Sequence, residues 1–214
     1  MVRLRTERYD LQRKRWPERG RHVLAQFDDR GVVVYQAYRP SIGLSAARNG
    51  RFGDGGFSLE RMSWIKPNFL WMMYRCGWAT KEGQEVVLAV TLARTAFDAI
   101  LEAAVPSSFG QVDRYADRAS WEQAVAASDV RLQWDPDHHP SGAPAERRAV
   151  QLGLRGGALA KYAGEWILSI EDVTPFVAEQ RERRGTPDLV IPSEAVYPCP
   201  PAAAAAIGSD PFPG

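Results

Sequence analysis

Ser63-Trp-Ile-Lys-Pro-Asn-Phe-Leu-Trp-Met-Met-Tyr-Arg-Cys-Gly-Trp78 sets three Trp, one Tyr and one Phe around a single Lys, a Pro and an Asn. A core helix shows charged residues on its outer face and a half-buried strand alternates cleanly, and this stretch does neither. Aromatic surface is costly to expose, and Asn and Lys are costly to bury unpaired, so the combination fits the wall of a pocket. The competing reading is a buried helix start with a snorkelling Lys. Lys66 is the pivot. The chain has 23 Arg but only four Lys, at 14, 66, 81 and 161, so a Lys here points to a place that wants a compact, rotatable ammonium. Pro67 permits a helix carrying Phe69 to Arg75, with Gly77 as its stop.

Upstream, His22 to Phe27 reads as a short strand, Asp28 to Gly31 as a turn and Val32 to Ala37 as a second strand, a hairpin pattern. Pro40 opens a helix over Ser41 to Asn49, and Gly53 to Gly56 is a loop. Downstream, Val86 to Leu92 is the uninterrupted apolar run of a buried strand. Thr95 is expected to cap a helix to about Ala104, Trp121 to Ala127 forms another, and Val130 to Trp134 a strand. Asp135 to Pro144 reads as a polar loop and Arg148 to Leu154 as a strand. A short helix (Gly156 to Ala163), a strand (Trp166 to Ile170), a helix from Thr174 to Arg184 and a last strand within Asp188 to Val196 complete the pattern. Strands outnumber helices and do not alternate with them regularly, which predicts an α+β domain.

At 214 residues the chain suits one domain with tails: a basic arm over 1–20, a domain over 21–197 and a Pro/Ala-rich tail over 198–214 expected to be disordered. No apolar run approaches the roughly 18 to 20 residues of a membrane span, so no membrane partner is expected. Two cysteines, Cys76 and Cys199, make no disulfide framework, and a reducing cytoplasm is the expected location. Net charge is +1, but residues 1–22 hold eight Arg/Lys against three acids. Such an arm either steers a polyanion or is simply a solvated face.

Stock catalytic signatures are missing: there is no P-loop, G-x-G-x-x-G, G-x-S-x-G or H-E-x-x-H. His138-His139 sits among Asp135 and Asp137, yet no Cys or third His lies near, so no metal is expected. Cys76 has no base at a recognisable spacing and reads as structural. Tyr35-Gln-Ala-Tyr-Arg39 puts a hydroxyl, an amide and a guanidinium where a strand meets a helix. That is suited to a nucleotide through stacking and phosphate contacts, or else is a Tyr-rich strand end finishing a core.

Residues 32–42, 63–78 and 151–156 together resemble the family called domain of unknown function 4291, over about residues 20–197. The order of parts is similar, more distantly, to the ADP-ribosyltransferase superfamily, including the DNA-modifying toxins of the DarT type and the RNA 2′-phosphotransferases. That resemblance implies a split, mainly antiparallel β-sheet with flanking helices, and NAD as substrate. Ile65 to Trp71 overlays the segment that carries a catalytic Arg, placing Lys66 there; Arg147 to Gly153 overlays the segment that carries a catalytic Glu, placing Gln151 there. Tyr35, Gln36 and Arg39 are then expected to contact NAD, Ser63 and Asn68 to help fix it, and Trp71 to stack on nicotinamide. Gln151 can hold a ribose hydroxyl but supplies no negative charge, so Glu146, Glu171 or Asp172 are candidates to supply it. The resemblance implies a nucleic-acid acceptor. The alternative is a binding module without catalysis, whose aromatic and basic groove holds a nucleotide or single-stranded nucleic acid.

Overall fold

Val86 to Ala93 has no polar face, and it becomes the central strand of a three-stranded antiparallel sheet. The computed structural model describes residues 4–212 and shows a mixed α/β fold with eight helices among them. In chain order these are β1 (Thr6–Arg8), α1 (Tyr9–Gln12), β2 (Gly20–Arg21), β3 (Leu24–Ala25), β4 (Gly31–Tyr38), α2 (Pro40–Asn49), β5 (Ser63–Ile65), α3 (Phe69–Cys76), β6 (Val86–Ala93) and α4 (Arg94–Glu102). They continue as β7 (Ala104–Pro106), α5 (Arg118–Ala127), β8 (Val130–His138), β9 (Pro144–Leu154), α6 (Gly156–Tyr162), β10 (Ile167–Asp172), α7 (Thr174–Glu182), β11 (Val190–Pro192), β12 (Ala195–Val196) and α8 (Pro201–Ile207).

Two sheets dominate. One has the order β10-β6-β4, and the other runs β2-β9-β8-β7 with β5 also paired to β9. Most pairs are antiparallel; β2–β9 and β7–β8 are parallel. The sheets meet at a single point, the antiparallel bridge between Tyr35 and Lys66, closed by hydrogen bonds of 2.7 and 3.2 Å. Beyond it no ladder joins Gln36–Tyr38 to Ser63–Ile65, and the sheet is split there.

Alternation on these strands makes two cores. Val32, Val34, Leu88, Val90, Leu132, Val150 and Leu152 pack with Phe97, Ile100 and Ile207 on one side. Val33, Tyr35, Val87 and Ala89 pack with Phe69, Met73 and Val177 on the other. Helix α2 lies so close to β6 that a Cβ on Gly43 would stand 2.7 Å from Val86 Cβ. That atom is fixed to the backbone and cannot swing away. Gly43→Ala is therefore expected to lower the urea midpoint: overpacking of up to about 3 kcal/mol outweighs the roughly 1 kcal/mol that alanine adds to a helix.

Several expectations are corrected. The N-terminal arm is not a free appendage: β1 pairs with β11, and Trp16 is buried with its Nε1 donating to the Glu194 carbonyl at 2.9 Å. Its Arg8 and Arg15 are paired with Asp10 and Glu7, which leaves less charge for a polyanion; residues 1–3, Arg3 among them, lie outside the described residues. Residues 201–207 of the expected disordered tail form α8, whose Ala203, Ala206 and Ile207 are buried against the first core; 213–214 lie outside the described residues. Thr95 does not cap α4, which starts at Arg94 after Ala93, and Ala104 leaves the helix to begin β7. The polar stretch after Trp134 is not a loop up to Pro144. It continues β8 to His138, with a register shift between Pro136 and His138 that accommodates the proline.

Candidate functional site in the split of the sheet

Antiparallel register decides which side chains meet. Ile65 pairs with Leu152, so the next residue, Lys66, stands opposite Gln151, which itself pairs with Gln133 on β8. Directly opposed residues project from the same face. Glu171, Ala89, Tyr35, Lys66, Gln151 and Gln133 thus form one transverse row across both sheets. Continued one step past the last paired residues, this register sets Lys66 and Gln151 at neighbouring positions. Two residues beyond Gln133 on the same face is Asp135, whose carboxylate accepts from Gln151 Nε2 at 2.7 Å; Gln133 Oε1 accepts from the same nitrogen at 2.8 Å. With Nε2 so occupied, the Gln151 carbonyl oxygen is left as the acceptor.

Lys66 is 5 % exposed, and its ammonium has no hydrogen-bond or ion-pair partner among the described residues. Burial, seconded by the Arg75 cation and opposed by Asp135, lowers its pKa to about 8. It lines a cavity of about 350 Å³ in the split, with Gln36, Ser63, Trp64, Arg61, Met72 and Arg75 among the other walls. A second hollow of about 370 Å³ continues past Tyr38, Arg61 and Ser63 to Arg39 and Gly56. Neither wall contains a carboxylate. Arg39, Arg61 and Arg75 are exposed and have no ion pair among the described residues. Gly56, at φ +92°, lets the Arg39 guanidinium approach where any Cβ would be 2.5 Å from its nitrogen. Asp135 and Gln151 are half-buried and adjoin Lys66 rather than these walls.

The remaining predicted residues divide. Ser63 lies in the cleft: its hydroxyl accepts from Gln36 Nε2 at 2.9 Å and bonds the Tyr38 hydroxyl at 2.8 Å. Gln36 is 3 % exposed, and its oxygen takes the Tyr162 hydroxyl at 2.6 Å, so it positions Ser63 with little capacity left for a ligand. Tyr35 cannot touch a ligand. It is fully buried, edge-on to Phe69 with ring centres 5.4 Å apart. Asn68 caps α3, accepting from Trp71 N at 2.7 Å and donating to the buried Glu194 carboxylate at 3.1 Å. Trp71 is buried against His138 and Tyr74 in a nearly parallel stack, which removes it from the cleft and gives His138 a packing role. Cys76 is fully buried, and burial pushes its thiol up.

The substitute acids named from sequence do not reach the site. Glu146 is exposed and lies in the irregular end of β9, beyond the register shift that separates it from Gln151. Asp172 bonds the backbone nitrogen and hydroxyl of Thr174. Glu171 is three strands from Lys66, roughly 14 Å at about 4.8 Å per strand. The carboxylate that the structure sets beside Gln151 is Asp135. Its signal was the alternation Arg131, Gln133, Asp135 against Leu132 and Trp134, legible only if the strand runs on past Trp134.

The family described as "Domain of unknown function (DUF4291)" matches residues 22–197, most of the chain, and the chain belongs to it. No curated protein matches.

Proposed function

We propose that this member of the family transfers ADP-ribose from NAD to nucleic acid, on an ADP-ribosyltransferase-like split sheet. One observation supports the reading: the β5–β9 register, continued by one residue, sets Lys66 beside Gln151 and the Asp135 carboxylate, at the edge of an acid-free cleft whose three arginines have no ion pair among the described residues. Arg39, Arg61, Arg75 and the Lys66 ammonium suit a pyrophosphate. The Ser63 hydroxyl, held by Gln36 and Tyr38, is a fixed polar contact. Gln151 offers its carbonyl oxygen to a ribose hydroxyl while Asp135 supplies the charge an amide lacks.

In the reaction the bond from C1′ to the nicotinamide nitrogen breaks, and its electron pair neutralises the pyridinium ring. Positive charge grows on C1′ and the ring oxygen, where a fixed carboxylate stabilises it. A nucleophilic nitrogen or oxygen of the acceptor then bonds C1′. Its proton passes to solvent, or to Lys66 once that amine is neutral above pH about 8. The exposed arginines favour a polyanionic acceptor.

The same arginines, with the half-buried Trp64 ring in the wall, also fit a second reading: nucleotide or single-strand binding without chemistry. Incubating the purified protein with labelled NAD and mixed DNA and RNA separates the two. Label transfer that disappears in Lys66→Ala is the expected result. Tight binding without release of nicotinamide supports the module, and failure to bind either ligand removes both readings.

A further inference from the structure

Lys66 has a property that holding a pyrophosphate does not use. Its side chain is 95 % buried, nothing in the described structure bonds its ammonium, and it borders a cavity open to solvent. Its surroundings disfavour a cation: the Trp64 and Met72 side chains share the wall, and Arg75 adds a like charge. Lysines desolvated beside a second cation are the ones proteins use as amine nucleophiles toward carbonyl compounds. An ammonium meant only to hold an anion is better served exposed and fully charged.

We propose that Lys66 condenses with the aldehyde of a phosphate-bearing sugar or related carbonyl compound held in this cavity, forming an imine. The neutral amine attacks the carbonyl carbon, a C–N bond forms, and the oxygen takes a proton to give a carbinolamine. Loss of one water, which carries away that oxygen, leaves C=N; no oxidant or reductant is consumed. Arg75 in the same wall, and Arg39 and Arg61 in the adjoining hollow, account for the phosphate. The charged or titratable groups that act on Lys66 are Arg75, Asp135 and Cys76. This chemistry needs no NAD turnover, although the free reducing end of an ADP-ribose product belongs to the same class.

The test treats the full chain with pyridoxal 5′-phosphate at pH 7.5, reduces with borohydride, and maps the modified lysines by mass spectrometry. A lysine titrating near 8 has roughly 200-fold more neutral amine at that pH than one near 10.5. The expected product is a single adduct at Lys66, formed faster than at Lys14, Lys81 or Lys161, suppressed by inorganic pyrophosphate and lost in Lys66→Arg. Its rate should rise with pH and level off above about 8. Glycolaldehyde phosphate serves as a smaller second probe. Labelling spread over the exposed lysines with Lys66 unmodified by both reagents overturns the proposal, whatever the outcome of the NAD assay.

Discussion

Asp135→Asn is expected to lower NAD turnover about 100- to 1,000-fold while leaving the fold intact, the scale on which one preorganised electrostatic partner of a transition state acts. The carboxylate lies half-buried beside Lys66 and makes no ion pair among the described residues, so removing its charge breaks no salt bridge. Asparagine keeps an oxygen able to accept from Gln151 Nε2. The arrangement also explains why an amide occupies position 151. A Glu there would place a second carboxylate against Asp135, where Gln151 now donates at 2.7 Å, and like charges that close cannot both stay ionised. The measurement is nicotinamide release under saturating NAD; an unchanged rate in a folded variant removes Asp135 from the chemistry.

Lys66→Met is expected to make the protein more stable at pH 7 while abolishing anion binding. Folding lowers the Lys66 pKa from 10.5 to about 8, mainly through burial. That difference corresponds to about 3 kcal/mol of cost while the group is charged in both states. Because the unfolded chain binds the proton more tightly, the cost is complete below pH 8, fades between 8 and 10.5, and vanishes above. Methionine fills similar volume without the charge. Urea midpoints of the two proteins should therefore differ most at pH 7 and converge by pH 10.5. A difference independent of pH would mean that Lys66 is not the titrating group.

How much of this was legible depended on where the structural information resides. Helices α2 and α3 announce themselves locally, by Pro40 with Gly50 and by Asn68 with Gly77; both glycines adopt the left-handed conformation that ends a helix. The apolar run of β6 needed no context. The ends of β8 and β9 did: Pro136, Asp137 and Pro144 carry every local mark of a loop, and only pairing across the hairpin overrides them. Helix α8 was hidden in an alanine run whose burial depends on α4 and on the Trp134 indole donating to the Ile207 carbonyl at 2.8 Å.

At the site, the resemblance set Lys66 and Gln151 in one place, and the β5–β9 register, continued by one residue, makes them neighbours. Asp135 was missed because its strand was ended at Trp134, four residues short of where β8 stops. Tyr35 and Trp71 misled for a different reason. Aromatic residues near a polar cluster read equally well as pocket wall or core, and only tertiary packing decides which face they take.

In the proposed binding mode NAD lies in the split with its nicotinamide ribose at Asp135 and Gln151 and its pyrophosphate at Lys66 and Arg75. A crystal structure of the protein soaked with NAD tests it most directly. The expected result is a ribose hydroxyl within hydrogen-bond reach of the Gln151 carbonyl oxygen and a phosphate oxygen on the Lys66 ammonium. NAD bound elsewhere on the molecule, or an unliganded cleft at concentrations that saturate binding in solution, would contradict it.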